Sequence, residues 1–468
     1  MKRIMLIAIA AVLVAGGCRK IEVDGTTNTV TPPTGGSENT ILEGRISSNR
    51  TLKADFVYKL RGLVYVTNGA VLTIEPGTKI VGEQGRTGAL IITRSAKIVA
   101  DGTADKPIVF TSESATPNRG DWAGLVILGN APTNASFNGQ AGIGEIEGGI
   151  NNSDGLGLYG LGASSNPADN SGILRYVRIE YAGYAFLPDK EINGLTLGGV
   201  GNQTIIDYVQ VAYANDDSFE WFGGTVNCKH LIAYKGLDDD FDTDNGYVGK
   251  VQYAIGFRDS SVADISGSNG FESDNDASGS ISTPQTGAVF SNVTLVGPRA
   301  TLSNVGNSNY KRGLHLRRNS GLSFFNSIVM GWPTGWLLDA STGSPTDLNL
   351  TAATPKAVYA NNIIAGNNTQ LSYTASAAAP TGWATLDFSN YINRANGGNT
   401  LLTNTADVQL AAPFKYDNTV DFNPTTGSPA LTGASFTDAK VASGFNPTSY
   451  RGACDAGDGW WKVWTKFN

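Results

Sequence analysis

Histidine, cysteine and charge are all scarce in this 468-residue chain, which has two histidines, three cysteines and only 16% Asp, Glu, Lys and Arg. So few thiols and imidazoles exclude a clustered zinc centre, and no glycine-rich phosphate loop is present. A net charge of −7 without a basic stripe excludes nucleic acid as a partner. Long apolar runs are missing apart from Ile4 to Val14, which is too short for a permanent bilayer span. Nor does any stretch show the apolar period of an amphipathic helix. What the chain has is glycine, 58 residues of it, with abundant Asn, Thr and Ser, the composition of an all-β protein full of turns.

The N-terminus reads as a processing signal. Lys2 and Arg3 precede the apolar run, and Ala15-Gly16-Gly17 lead into Cys18, a junction that resembles a lipobox. Residues 1–17 are therefore expected to be a cleaved lipoprotein signal peptide and Cys18 the lipidated residue that anchors the chain to a membrane. Residues 18–41, polar and rich in Gly, Pro and Thr, are expected to be a flexible tether. Removing Lys2 and Arg3 with the signal takes the charge from −7 to −9. Cys228 and Cys454 lie 226 residues apart with no local pairing signature, so the sequence leaves a disulfide between them open.

Short apolar segments recur along the body. Leu63–Val66, Ala70–Ile74, Thr78–Val81, Leu90–Thr93, Lys97–Ala100 and Ile108–Thr111 are each too short for a helix and bounded by turn residues. Arg175–Ala182 matches Asp207–Ala214 in apolar pattern 32 residues later, and Lys229–Gly236 follows after 22. Ser291–Gly297, Phe325–Gly331 and Tyr359–Gly366 continue the series, the last two 34 apart. A base period near 22 with variable insertions predicts a right-handed parallel β-helix over 42–420, one coil per period. The remaining 421–468 are expected to hold the last coil and a C-terminal cap, with Trp460, Trp461, Trp464 and Phe467 folding over the open end.

Charge is concentrated in one region. Residues 215–276 contain thirteen acids and four Lys or Arg, a local balance of −9 equal to that of the whole processed chain. Asp216 and Asp217 follow one repeat and Asp238, Asp239 and Asp240 the next, so the repeat stacks them at about the 4.8 Å strand spacing. Carboxylates that close need neutralising, by bound Ca²⁺, by shared protons or by splaying into solvent. Asp238 to Gly246, with Asp242 and Asp244 alternating along it, has the look of a calcium loop without the far glutamate of an EF-hand. Expected Ca²⁺ ligands are Asp216, Asp217, Asp238, Asp239, Asp240, Asp242, Asp244, Glu272, Asp274 and Asp276. A catalytic alternative exists, because Asp217, the Asp239-Asp240 pair, His315 and Arg317 occur in the order of polygalacturonase-like hydrolases. It lacks the Gly-His-Gly element, and Arg317 is followed by Arg318 where a spaced lysine is required. A pectate-lyase mechanism would use the same acids with Arg258, Arg312 or Arg317. His230, on a repeat segment, reads as structural.

Gly120-Asp-Trp-Ala-Gly-Leu-Val-Ile-Leu-Gly129, Asn193-Gly-Leu-Thr-Leu-Gly-Gly-Val200, Tyr213-Ala-Asn-Asp-Asp217, Gly270-Phe-Glu-Ser-Asp-Asn-Asp276 and Tyr450-Arg-Gly-Ala453 together resemble an uncharacterised family of parallel β-helix lipoproteins of Bacteroidota. The resemblance implies an outer-membrane, surface-exposed location. The expectation is a non-enzymatic rod that binds polysaccharide or docks to an outer-membrane protein complex; the alternative is a polysaccharide-degrading enzyme.

Overall fold

The computed structural model describes residues 38–83, 88–187 and 190–467, so the expected signal peptide, Cys18 and the tether as far as residue 37 lie outside the described residues. Among the described residues, 26 of the 34 strands belong to one large parallel sheet coiled into a three-faced solenoid, and the other eight form four antiparallel pairs. The first face stacks Val71–Ile74, Lys97–Asp101 and the leading halves of Gly172–Glu180, Ile205–Ala212, Asn227–Tyr234, Lys250–Phe257 and Val289–Val296. The second face takes the trailing halves of those long strands. The third runs through Ala89–Ile92, Gly124–Leu128, Leu195–Gly198, Phe219–Phe222, Phe241–Asp244, Ser268–Ser273, Tyr310–Leu316 and Thr334–Asp339.

The register is the one the repeats predict. Arg175 pairs with Asp207 and Asp207 with Lys229, offsets of 32 and 22. Further on, Phe325 pairs with Ala360, one residue beyond the offset of 34 read from the sequence. Inward positions stack on their equivalents in the next coil: Phe219 on Phe241 at 5.5 Å and Phe241 on Phe271 at 5.7 Å, an apolar floor beneath the third face.

The long strands bend between first and second faces at one aligned position, occupied by Tyr176, Tyr208, His230, Tyr253, Asn292, Asn326 and Asn361. All seven have positive φ, between 50° and 64°, which turns the chain through the corner between one run of paired residues and the next. Tyr176 stacks on Tyr208 at 4.4 Å, Tyr208 on His230 at 4.1 Å and His230 on Tyr253 at 4.9 Å. His230 Nδ1 lies 2.7 Å from an Asp207 carboxylate oxygen, so the histidine is structural as expected.

The C-terminal segment covers this corner. The parallel sheet ends at Thr400–Leu402; beyond it Leu410–Ala412 pairs antiparallel with Asp421–Pro424. The chain then returns along the flank. Ser435 bonds to Asn326, Tyr450 to Asn292, Asn446 to Gln252 and Lys466 to Gln210. Trp464 and Trp460 meet Tyr208 edge-on. The expected cap is thus a lengthwise strap, not a lid over the open end, because the aromatic corner is itself an apolar surface that needs cover. At the last coil a short helix, Thr385–Ile392, sets Phe388 and Ile392 against the core. Its apolar positions span only two turns, too short a stretch to register as a helical period. Cys228 and Cys454 are both buried and unpaired.

Candidate functional site

The third face carries the acids on its outer side. Its strands place Thr196, Glu220, Asp242, Glu272, His315 and Leu337 in one ladder across successive coils. A second row, at the leading ends of these strands, holds Asp217 and Asp239 just before theirs and Asn269 and Arg312 within theirs; Asp239 N–H donates to Asp217 (2.8 Å) and Asn269 N–H to Asp239. Between and beside the rows lies a cavity of ≈ 230 Å³ lined by Asp217, Asp238, Asp239, Asp242, Glu272, Arg312, His315 and Arg317.

Alternation along the segment from Asp238 to Asp244 has a different cause from the calcium loop expected of it. Phe241–Asp244 is a strand, so Phe241 and Thr243 point into the core while Asp242 and Asp244 point out. The acids therefore line a surface and do not wrap a point.

Two groups of carboxylates come together. Ligand oxygens of Asp216, Asp217 and Asp238 lie within 4.8 Å of one another, as do those of Asp217, Glu220 and Asp242. Burial, reinforced by the neighbouring acids, pushes Asp217, Glu220 and Asp242 far above the ordinary carboxylate range. The same cause raises Asp238 to about 9 and Asp239 to about 7, the latter held down in part by its Asn269 hydrogen bonds. Asp244 stands at about 8, raised by burial and then by Asp274. Asp242 Oδ1 is shielded from solvent and has no hydrogen-bond partner.

The other end of the cleft is cationic. Arg317 Nε bonds Asp274 at 2.8 Å, Arg318 bonds the other Asp274 oxygen at 2.7 Å, and Arg317 also pairs with Glu272. His315 lies between Glu272 (3.2 Å) and Asp339 (3.3 Å). Burial acts against ionisation of Glu272, yet His315 and Arg317 outweigh it and hold the carboxyl below its usual range. His315 is raised because its two carboxylate partners overcome its own desolvation. Arg312 is less engaged, with one long contact to Asn269 Oδ1 at 3.5 Å.

Three of the expected acids stand apart. Asp240 is fully buried and paired with Arg258 at 2.9 Å, also fully buried, so it faces the solenoid wall and not the cleft. This removes it from the catalytic pair with Asp217 and from the ligand set. Asp274 is occupied by its two arginines. Asp276 accepts from the backbone and hydroxyl groups of Ser278 and Ser280, which lower its pKa despite burial. The sequence reading omitted Glu220, which sits one 22-residue period before Asp242 and was recoverable on that ground. It also omitted Asp339, whose link to His315 crosses coils.

Searching curated proteins finds no match to the chain. The family model described as a pectate-lyase-like β-helix domain matches residues 44–407, and the chain belongs to that family.

Proposed function

We propose that the body is a lipid-anchored, outer-membrane surface protein whose acidic cleft takes up Ca²⁺ and binds an acidic polysaccharide. The observation that carries this reading is the Asp217, Glu220 and Asp242 trio: buried carboxylate oxygens within 4.8 Å of one another, with Asp242 Oδ1 unpartnered. Hard, clustered oxygen donors suit Ca²⁺, and ionising them together without a cation is costly. Asp217, Glu220 and Asp242 would hold the ion, with Asp216 and Asp238 adjoining through the shared Asp217. Arg312, lightly engaged at the cleft edge, would meet a sugar carboxylate that also faces the ion. Anchoring is assigned to Cys18, from the Ala15-Gly16-Gly17-Cys18 junction.

A lyase-like reading draws on the family and on the lightly engaged Arg312. Inverting hydrolysis is less favoured, since it requires carboxyls about 6.5–9.5 Å apart with room for water, whereas the trio's oxygens are within 4.8 Å. The test is a screen of the full chain against acidic and neutral glycans, with and without EDTA, alongside an assay for uronate turnover. Binding of polygalacturonate that EDTA and Asp242→Asn abolish, without turnover, supports the proposal. EDTA-resistant binding, or preference for neutral glycans, overturns it; turnover moves the protein into the enzymatic class.

A further inference from the structure

A second polar cavity lies on the coils that precede the acids. It has a volume of ≈ 460 Å³ and is built at one corner of three successive coils, where the chain leaves the third face. Thr67-Asn68-Gly69 forms the turn of the first coil, Thr93-Arg94-Ser95 that of the second, and Asn130 opens the insertion after the third. Asn68 and Ser95 both have positive φ, 56° and 70°, so these turns repeat one geometry. The insertion supplies the far wall through Asp154, Leu156 and Leu161.

Arg94 is the unusual member. Its Nη1 donates to the Gly160 carbonyl at 2.9 Å, which fixes the guanidinium in the cavity wall. No carboxylate among the described residues pairs with it; Asp154, on the other wall, is taken by Arg45. Burial alone pulls Arg94 below its ordinary range, with no acid opposing the shift. A half-buried arginine without a counter-ion bears a desolvation penalty that an incoming anion relieves. Polar groups line the cavity beside it: the Asn130 amide nitrogen donates to Asp169 Oδ1 at 3.2 Å and to Ser95 Oγ at 3.3 Å, which fixes the side chain in place, and the buried Thr67 hydroxyl has no partner. Leu156 and Leu161 add an apolar flank, and the volume is in the range of small-molecule sites.

We propose that this corner cavity binds a sugar bearing one carboxylate, with Arg94 as the ion-pairing residue, Asn130 among the polar groups facing its hydroxyls and the two leucines against its ring. The site is independent of the acidic cleft and needs no metal.

Calorimetric titration of the full chain with glucuronate, with glucose and inorganic sulfate as parallel arms, tests it. Glucuronate should bind, EDTA should not affect it, and Arg94→Gln should weaken it by roughly ten- to a hundredfold, the worth of a charge-assisted hydrogen bond. Leu161→Trp is the second variant: Leu161 is 41% exposed, so a larger side chain is tolerated there while filling the cavity mouth, and binding should be lost. Unchanged affinity in a folded Arg94→Gln protein overturns the proposal, as does unchanged affinity in Leu161→Trp. Glucose binding as tightly as glucuronate removes the anion from it, and sulfate binding as tightly removes the sugar. Loss of glucuronate binding on adding EDTA would assign that binding to the acidic cleft instead.

Discussion

Replacing Arg258 by methionine should destabilise the protein far more than replacing any single acid of the cleft. Both side chains of the Arg258–Asp240 pair are fully buried, and Arg258 also donates to the carbonyls of Gly236 and Asp238 and lies 5.4 Å over the Tyr310 ring. Burial already raises Asp240 to about 7 even with the guanidinium beside it, and its second oxygen has no partner. Without Arg258 the carboxyl is left in an apolar wall, a loss of about 3–5 kcal/mol. A body of roughly 430 residues has an unfolding entropy of about 0.9 kcal/mol/K, so the melting temperature should fall by about 3–6 °C. The double variant Asp240→Leu with Arg258→Met removes both charges and should recover most of the loss. Thermal melting of the three proteins at pH 7 decides. A single Arg258→Met variant within about 1 kcal/mol of the parent, or a double variant no better than the single, would refute this account of the pair. Because Arg258 also holds the Asp238 carbonyl, the single variant should weaken Ca²⁺ binding as well.

Further expectations concern the cleft, the strap and the anchor. Asp239 and Asp244, raised from 3.8 to about 7 and about 8, keep protons that the unfolded chain has released. Their contribution to stability should therefore fall as pH rises between about 4 and 8; melting curves from pH 5 to 8 that rise without Ca²⁺ would contradict this. Ca²⁺ at a hundredfold its dissociation constant adds about 2.7 kcal/mol, or about 3 °C for a body of this size, and EDTA should remove that increment. Trp464→Ala should cost about 3–5 kcal/mol by uncovering Tyr176 and Tyr208, read as a lower melting temperature; an unchanged one would mean the strap is dispensable. Cys18→Ser should release the protein from membranes, and membrane fractionation with acyl-group mass spectrometry checks it.

The solenoid was legible because its register is written in side chains: Val177, Val209 and Leu231 recur at the coil period and all face inward. The acidic band was legible for the same reason, since Asp217 and Asp239 stand one 22-residue coil apart and are linked across it. Individual roles were harder. Asp238, Asp239 and Asp240 are consecutive in a turn, where no period says which side chain faces in, and only the buried Arg258 eighteen residues later fixes Asp240 inward. The strap was hidden because Tyr176, Tyr208 and Tyr253 read as ordinary strand aromatics. Their positive φ turns them out onto the corner and creates the surface that the C-terminal tryptophans cover.

Calcium titration by calorimetry, on the full chain freed of metal and held at pH 7.5, addresses the central claim most directly. Asp217 belongs to both carboxylate groups, whereas Asp276 is engaged by its own serines. The account predicts saturable Ca²⁺ binding to the parent protein, its loss in Asp217→Asn and its retention in Asp276→Asn. Absence of binding in the parent, or binding that survives Asp217→Asn unchanged, would contradict it.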